Sequence, residues 1–311
     1  MSFDRRQALR VLGSGGAAAA ATLVAKDARA SAVNRPKAPD HEAAAMLYDA
    51  TICTGCKACV TACTEANDLV PDTVLSAGKW QMPLDLNAQT ANIIKLAKGE
   101  SPMEDSYVKR QCMHCLEPSC VSGCPFGALI KRESDGVVVW RADRCIGCRY
   151  CEVACPFEVP KFEWERFNPK IVKCQLCSHR LDEGGVPACT EVCPTHAVIY
   201  GRREDLLEEG HRRIAAHPDR YHESRIYGEK DGGGTQVLYL SAIPFEELGL
   251  PKLGQESVAH YGSKVHSVLY KWLALPAIAY AFLAALIRRR WKEHEAHEKE
   301  LAEKTGLPRQ I

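Results

Sequence analysis

Apolar residues are concentrated in two stretches near the ends of the chain, and the first begins soon after a pair of arginines. Arg5 and Arg6 precede an apolar stretch that ends in an Ala-x-Ala sequence at Ala30. A charged start, a short apolar stretch and small residues are together typical of a secretory signal. Paired arginines indicate the twin-arginine export route, and the glycines within the stretch disfavour a structural helix. We therefore interpret residues 1–30 as a twin-arginine signal peptide and residues 31–45 as a linker.

The second apolar stretch, residues 265–287, predicts a transmembrane helix. Its last 21 residues contain one charged residue, Lys271, and this length is enough to cross a bilayer. Three arginines follow at 288–290, and positive residues favour the cytoplasmic side. We expect residues 288–311 to form a cytoplasmic tail and the chain before the helix to lie outside. The alternative is a buried helix of a soluble domain, because the uninterrupted apolar run covers only residues 272–287.

Short segments between these stretches predict strands and helices. Residues 128–131 and 137–140 flank a Glu-Ser-Asp-Gly turn, which predicts a hairpin. Residues 202–216 carry leucine and isoleucine at helical spacing among charges, which predicts an exposed amphipathic helix. Residues 232–241 predict a glycine turn and a strand, and residues 90–98 predict a short helix.

The composition indicates bound metal. The chain has 311 residues, which is enough for two compact domains with additional segments. Its formal net charge is +1, so no basic field favours nucleic-acid binding. Sixteen cysteines fall into four groups of four rather than being scattered. Metal ligation is the chemistry that such grouping favours.

The spacing within the groups is that of iron-sulfur ligands. In bacterial ferredoxins the spacing Cys-x2-Cys-x2-Cys-x3-Cys gives three thiols to one cluster and the last thiol to its neighbour. The first and third groups have this spacing, and Gly55 and Gly147 lie where a tight turn leaves no room for a side chain. The four groups are Cys53, Cys56, Cys59 and Cys63; Cys112, Cys115, Cys120 and Cys124; Cys145, Cys148, Cys151 and Cys155; and Cys174, Cys177, Cys189 and Cys193.

The chain also contains an internal repeat. Residues 47–63 align without gaps with residues 139–155, and residues 124–131 are similar to residues 193–200. Each copy predicts a strand, a cysteine loop, a short helix and a second strand. The sequence therefore predicts an α+β fold in which a bacterial-ferredoxin-like unit is used twice.

The predicted hairpin between the second and third groups indicates how the groups pair. It closes one ferredoxin-like unit, whereas the gap between the third and fourth groups contains three prolines and predicts no comparable hairpin. We therefore expect an inner unit, residues 105–165, nested within an outer unit, residues 46–104 and 166–256. This nesting predicts four [4Fe-4S] clusters, whose ligands are Cys53, Cys56, Cys59 and Cys193 for cluster 1; Cys112, Cys115, Cys120 and Cys155 for cluster 2; Cys145, Cys148, Cys151 and Cys124 for cluster 3; and Cys174, Cys177, Cys189 and Cys63 for cluster 4.

Structural zinc and a disulfide scaffold are the alternatives for so many cysteines. Zinc usually takes two separated Cys-x2-Cys pairs rather than three thiols from one loop, and cysteines in one tight loop are poorly placed to form disulfides. We expect His114 and His196 to be neighbours of the ligands or surface residues, and no catalytic pattern stands out. Four basic residues near the ligands either raise reduction potentials or are ordinary surface charges: Lys57, Arg149, Lys161 and Lys173.

With these motifs the chain resembles the HybA-type iron-sulfur subunits of periplasm-facing nickel-iron hydrogenases. These belong to the wider family of ferredoxin-like beta subunits of respiratory oxidoreductases. The resemblance is carried by residues 46–49, 109–115, 148–151, 228–238 and 250–253. Together with the twin-arginine start and the C-terminal helix, the likeness covers nearly the whole chain.

The resemblance implies a redox subunit that is not itself catalytic. Such a subunit relays electrons from the small and large subunits of a hydrogenase to a polytopic, quinone-binding membrane subunit. It also implies a location at the periplasmic face of the bacterial inner membrane, with lipid around residues 265–287. Some relatives replace one cysteine and carry a three-iron cluster, whereas all sixteen positions are cysteine here. The alternatives are the beta subunit of a membrane-bound formate dehydrogenase, and a metal-binding scaffold or assembly factor without redox turnover.

Overall fold

A computed structural model of the chain describes residues 43–71, 83–98, 105–165 and 169–305. The predicted signal peptide, residues 1–30, and the predicted linker up to residue 42 lie outside the described residues. The chain divides into two units, one that ends at His260 and one that begins at Tyr261.

The first unit consists of short strands and short helices joined by loops. Its strands are β1 (Ala44–Asp49), β2 (Asn92–Ala97), β3 (Ser106–Gln111), β4 (Leu129–Lys131), β5 (Val138–Trp140), β6 (Lys161–Phe162), β7 (Ile171–Val172), β8 (Val198–Arg202) and β9 (Val237–Leu240). Its complete α-helices are α1 (Ala58–Ala66), α2 (Ser119–Ser122), α3 (Tyr150–Ala154), α4 (Ser178–Asp182), α5 (Ala188–Glu191) and α6 (Arg203–Ala216). Single 3-10 turns cover Ala142–Arg144, Pro218–Arg220, His222–Ser224 and Asp231–Gly233. This mixed content agrees with the predicted α+β class.

A three-stranded sheet in the order β8, β1, β9 forms the centre of the first unit. Strand β1 pairs antiparallel with β8, with Met46 opposite Tyr200, and parallel with β9, with Met46 opposite Val237. Side chains on a strand point alternately to its two faces. Leu47 therefore packs with the residues of α6, and Tyr48 packs on the opposite face among the cysteines. Both faces of β1 are covered, which is why the whole strand is buried.

The other strands of the first unit form three two-stranded hairpins, β2 with β3, β4 with β5 and β6 with β7. The hairpin of β4 and β5 agrees with the prediction for residues 128–140. Helix α6 and strand β9 likewise agree with the elements predicted from the sequence.

Two of the predictions for the loops were wrong. Residues 90–98 contain strand β2, not a helix, because Ile93 and Ile94 are buried by pairing with β3. Strands β6 and β7 form a hairpin between the third and fourth cysteine groups, where none was predicted. Phe162 and Ile171 are paired in this hairpin and buried in a common cluster with Cys120 and Cys151, which stabilises even a two-residue ladder.

The C-terminal helix is α7 (Val258–Thr305), which contains Pro276. The predicted transmembrane segment, residues 265–287, lies within it. In the part of the chain that the structure describes, no helix is both long and apolar enough to span a membrane.

A buried carboxylate joins the end of β1 to α6. Asp49 is 1% exposed, and its Oδ2 accepts hydrogen bonds from Arg213 Nη1 at 3.2 Å and Tyr221 OH at 3.0 Å. Its Oδ1 accepts hydrogen bonds from the Thr51 backbone N–H at 3.0 Å and from the Thr51 hydroxyl at 2.6 Å. Because β1 leads directly into the first cysteine loop, this network fixes the start of that loop.

Replacing Arg213 tests the contribution of this network to stability. We expect Arg213→Ala to lower the free energy of unfolding by about 2–3 kcal/mol, because it leaves Asp49 buried without its ion pair. Urea unfolding followed by circular dichroism measures the change.

Arg202→Ala is the matched control. Arg202 pairs with Asp205 at 2.7 Å on the exposed surface, and we expect a far smaller effect because water and salt screen such pairs. An equal loss in the two variants would contradict the role given to Asp49.

Candidate iron-sulfur centres

The structure brings the sixteen cysteines together in four sets of four, and each set contains residues from two of the sequence groups. All sixteen are free cysteines rather than disulfides. We name the sets the first quartet (Cys53, Cys56, Cys59 and Cys193), the second quartet (Cys112, Cys115, Cys120 and Cys155), the third quartet (Cys124, Cys145, Cys148 and Cys151) and the fourth quartet (Cys63, Cys174, Cys177 and Cys189).

Three of the quartets line cavities. The volumes, including the open space at each mouth, are about 330 Å³ for the first quartet, 300 Å³ for the third and 260 Å³ for the fourth. The second quartet is grouped in a buried region. Burial raises the pKa of the Cys120 thiol well above its ordinary value, and the other three thiols of the quartet raise it further.

The donor sets fit an iron-sulfur cluster better than a single zinc ion. Zinc usually takes two separated Cys-x2-Cys pairs rather than three thiols from one loop. Here each set takes three thiols from one sequence group and the fourth from another, which is the ligand pattern of two-cluster bacterial ferredoxins. Among the described residues, no three His, Cys, Asp or Glu side chains form a group able to hold one metal ion.

Two helices each contribute to two quartets. Helix α1 carries Cys59 of the first quartet and Cys63 of the fourth, one helical turn apart. Helix α3 carries Cys151 of the third quartet, and Cys155 of the second quartet is its C-cap. A helical turn rises about 5.4 Å, so the Cys-x3-Cys spacing serves two neighbouring sites.

The loops before these helices have the same backbone conformation. Gly55 and Gly147 have φ of 68° and 72°, and the residues that precede the helices, Lys57 and Arg149, have φ of 61° and 65°. A Cβ at Gly55 would lie 2.5 Å from Tyr107 Cε1, and one at Gly147 would lie 2.8 Å from Pro169 Cγ. Both the left-handed turn and the close neighbour therefore require glycine, as the sequence predicted.

The buried thiols are poor acids in the protein alone. Burial raises the pKa of Cys63 to about 11 and the pKa values of Cys59 and Cys151 to about 12. Neighbouring thiols of the same or the adjacent quartet raise these values as well. Deprotonation of these thiols is therefore unfavourable in the protein alone, and a metal that takes thiolates as ligands would release protons when it binds.

Two buried lysines lie where quartets meet. Burial lowers the pKa of Lys109, but the thiols of Cys189 and Cys59, from the fourth and first quartets, act against burial and raise it overall. Lys173 Nζ lies 4.0 Å from Cys112 Sγ of the second quartet and 2.9 Å from the carbonyl oxygen of Cys174. Lys173 is therefore buried beside the ligands and is not an ordinary surface charge, which was one of the two interpretations that the sequence allowed. Sequence reasoning missed Lys109, because its place in a buried strand depends on the pairing of β2 and β3.

The contacts between quartets give them a linear order. The first and fourth are joined through α1, and the fourth and second through Lys173. The second and third are joined through α3 and by the Ser119 hydroxyl, which donates to the Ala154 carbonyl oxygen at 2.6 Å. The quartets therefore follow one another in the order first, fourth, second, third.

The two histidines beside the cysteines differ in burial. His196 is exposed. His114 is fully buried, its Nδ1 accepts a hydrogen bond from the Val138 backbone N–H at 3.0 Å, and burial holds its pKa well below the usual range. Because Nδ1 accepts this hydrogen bond, a neutral His114 carries its proton on Nε2, which has no hydrogen-bond partner among the described residues. The bond to Val138 supports β5 from inside the unit.

Comparisons with known proteins agree with this chemistry. A family model described as a 4Fe-4S dicluster domain matches residues 103–203. The chain is 41% identical over 295 residues to the hydrogenase-2 operon protein HybA of Escherichia coli O157:H7, covering 85% of this chain and 89% of the relative. It is 38% identical over 291 residues to a protein of Nitratidesulfovibrio vulgaris, and the match covers 90% of this chain and 76% of that protein. It is 36% identical over 214 residues to the iron-sulfur subunit of the nitrate-inducible formate dehydrogenase of Escherichia coli K12. This match covers 67% of this chain and 72% of that subunit.

Gly55→Ala tests whether the tight turn is needed for metal binding. We expect the variant to lose the iron of one cluster, because the new methyl group collides with Tyr107 and displaces the first cysteine loop. Iron and sulfide analysis of the purified chain measures the loss.

Gly184→Ala is the control for backbone strain alone. Gly184 has φ of 78°, and nothing lies within 4 Å of a Cβ placed there. We expect this variant to retain all of its iron, and a comparable loss in both variants would show that the contact with Tyr107 is irrelevant.

Proposed function

Because the chain belongs to the family of HybA-type iron-sulfur subunits, we propose that it relays electrons from a periplasmic nickel-iron hydrogenase to a quinone-reducing membrane subunit. The support is the 41% identity to HybA over most of both chains. The match to a 4Fe-4S dicluster domain supports iron-sulfur clusters as the cofactors. The chain is then a redox subunit of a larger complex and not a catalytic one.

We further propose that each quartet ligates one [4Fe-4S] cluster, which gives four clusters in the chain. When bound, such clusters take up and release single electrons at potentials that the surrounding protein sets. The residues of this chain hold the thiolates, exclude water and direct backbone N–H groups at sulfur. Examples are the Ala128 N–H, at 3.2 Å from Cys124 Sγ, and the Leu176 N–H, at 3.4 Å from Cys174 Sγ.

The pattern of buried and exposed cysteines is the structural observation that supports the relay proposal. At the two ends of the linear order, Cys56 of the first quartet and Cys148 of the third are exposed. All four cysteines of the fourth quartet, in the middle of the order, are buried. A series of sites that reaches the surface at its two ends suits electron entry from one partner and exit to another. The partners proposed for these ends are the hydrogenase subunits and a polytopic quinone-binding subunit.

A formate dehydrogenase beta subunit is the second candidate. The 36% identity to the iron-sulfur subunit of a formate dehydrogenase supports the same electron-transfer role. That match covers 67% of this chain, whereas the match to HybA covers 85%. We therefore favour the hydrogenase relay over the formate dehydrogenase and over a scaffold without redox turnover.

We place the mature protein at the periplasmic face of the inner membrane. The support comes from the sequence: the twin-arginine start in residues 1–30, the apolar stretch in residues 265–287 and the three arginines that follow it. In this arrangement residues 265–287 contact lipid, and residues 288–311 are cytoplasmic.

Cys145→Ser tests the relay in membranes that contain the whole complex. We expect hydrogen-dependent quinone reduction to be lost, because the third quartet loses a ligand, while hydrogen-dependent reduction of a soluble dye continues at the hydrogenase itself. His196→Ala, at an exposed residue beside the first quartet, is the control and keeps quinone reduction. Unchanged quinone reduction after deletion of this chain would rule out the hydrogenase relay. Loss of formate-dependent quinone reduction after this deletion would instead favour the formate dehydrogenase subunit.

Replacing both Arg5 and Arg6 with lysine tests the export route. We expect the variant to accumulate in the cytoplasm with its clusters bound, because the twin-arginine pair is the recognised part of the signal. Cell fractionation with iron analysis of each fraction measures this. Continued export of the variant would contradict the proposed route.

A further inference from the structure

The fourth quartet differs from the others in the polar side chains around it. Its cavity is lined by three side-chain amides, from Asn67, Asn92 and Gln175. All four of its cysteines are buried. Burial makes it harder to add an electron to an anionic cluster, and it also strengthens the effect of every donor or cation close by.

Asn67 has the most direct contact with this quartet. It is the C-cap of α1, and its Nδ2 lies 2.8 Å from the Cys63 carbonyl oxygen, 3.6 Å from Cys63 Sγ and 3.8 Å from Cys177 Sγ. The orientation of the amide is determined, because a carbonyl oxygen only accepts hydrogen bonds and the atom that faces it must be the nitrogen. One amide N–H group therefore bonds the carbonyl oxygen, and the second is directed at the two ligand sulfurs, which come from α1 and from the loop before α4.

Other donors reach the same quartet. A side-chain hydrogen bond from Asn92 acts on Cys63. The buried Lys109 interacts electrostatically with Cys189, Cys174 and Cys63, and also with Cys59 of the first quartet. Asn67, Asn92 and Lys109 come from three separate elements, α1, β2 and β3.

The described contacts at the other quartets are of other kinds, and the partly buried Lys131 interacts electrostatically with three thiols of the second quartet. Thr195 Oγ1 lies 3.8 Å from Cys193 Sγ of the first quartet, and Lys173 Nζ lies 4.0 Å from Cys112 Sγ of the second. At the third quartet, the contact with Cys124 comes from a backbone N–H. Among the described side chains, the Asn67 amide is thus distinguished by contacts with two sulfurs of one quartet.

We propose that Asn67 is a positioning residue that raises the reduction potential of the cluster of the fourth quartet. This inference rests on the proposed function. Reduction adds negative charge to the cluster and its thiolates, and donors directed at sulfur stabilise the reduced state more than the oxidised one. The second position in the linear order then takes up an electron more readily than it would without this amide.

Redox titration of the purified complex, followed by electron paramagnetic resonance, tests this proposal. We expect Asn67→Leu, which keeps the size of the side chain but removes both N–H groups, to lower one of the four midpoint potentials, that of the fourth quartet. The expected change is about a tenfold fall in the equilibrium constant for one-electron reduction, or about 59 mV. Asn67→Asp replaces the donor with a negative charge and should lower the same midpoint further. The other three midpoints should stay unchanged.

Thr64→Val is the matched control on the same helix. The Thr64 hydroxyl donates to the Val60 carbonyl oxygen at 3.0 Å, so its removal should leave all four midpoints unchanged. If Asn67→Leu fails to assemble, Asn67→Asp, which keeps the shape of the side chain, provides the same test.

The outcomes separate this inference from the proposed function. Wild-type protein without cluster signals would overturn the function. Asn67 variants with full iron content and unchanged midpoints would overturn the inference alone, as would equal shifts of all four midpoints.

Discussion

The sharing of one short helix between two cysteine quartets is the constraint on which the rest of the fold depends. Cys59 and Cys63 are separated by one turn of α1 and belong to different quartets. Cys193, which completes the first quartet, is far away in sequence, and it comes close because β8 after it pairs with β1 before the first loop. The central sheet therefore brings the fourth cysteine group back to the first.

Buried charge is the second condition that the fold has to meet. Lys109 and Lys173 lie inside the first unit among thiols, and Lys131 donates to the carbonyl oxygens of Cys115 and Gly136 and to Gln236 Oε1. Burial lowers the pKa of Lys131 to about 8. An ammonium group in such a site is stable when anionic groups stand nearby, and ligated thiolates are such groups. Cluster binding and the folding of this interior are therefore coupled.

The sequence alone allowed the prediction of what depends on local spacing. The cysteine groups, the turns at Gly55 and Gly147, the hairpin of β4 and β5 and helix α6 all follow from neighbouring residues. The β2 strand could not be predicted in this way, because a short apolar run is compatible with a helix or a strand until its pairing partner is known. The contact between Asn67 and Cys177 could not be predicted either, because the two residues are 110 positions apart in the sequence. The structure shows that the cysteines are grouped in quartets, whereas their role as cluster ligands stays a prediction.

The long-range construction of the quartets bears on where the protein acquires its clusters. The first quartet needs Cys193 beside Cys53, Cys56 and Cys59, so a complete site exists only after most of the first unit has folded. Free thiols gathered this closely are at risk of oxidation in an oxidising compartment. Loading in the reducing cytoplasm followed by export of the folded chain avoids that risk. The twin-arginine route carries folded proteins, so the proposed signal in residues 1–30 and the geometry of the cysteines satisfy the same requirement.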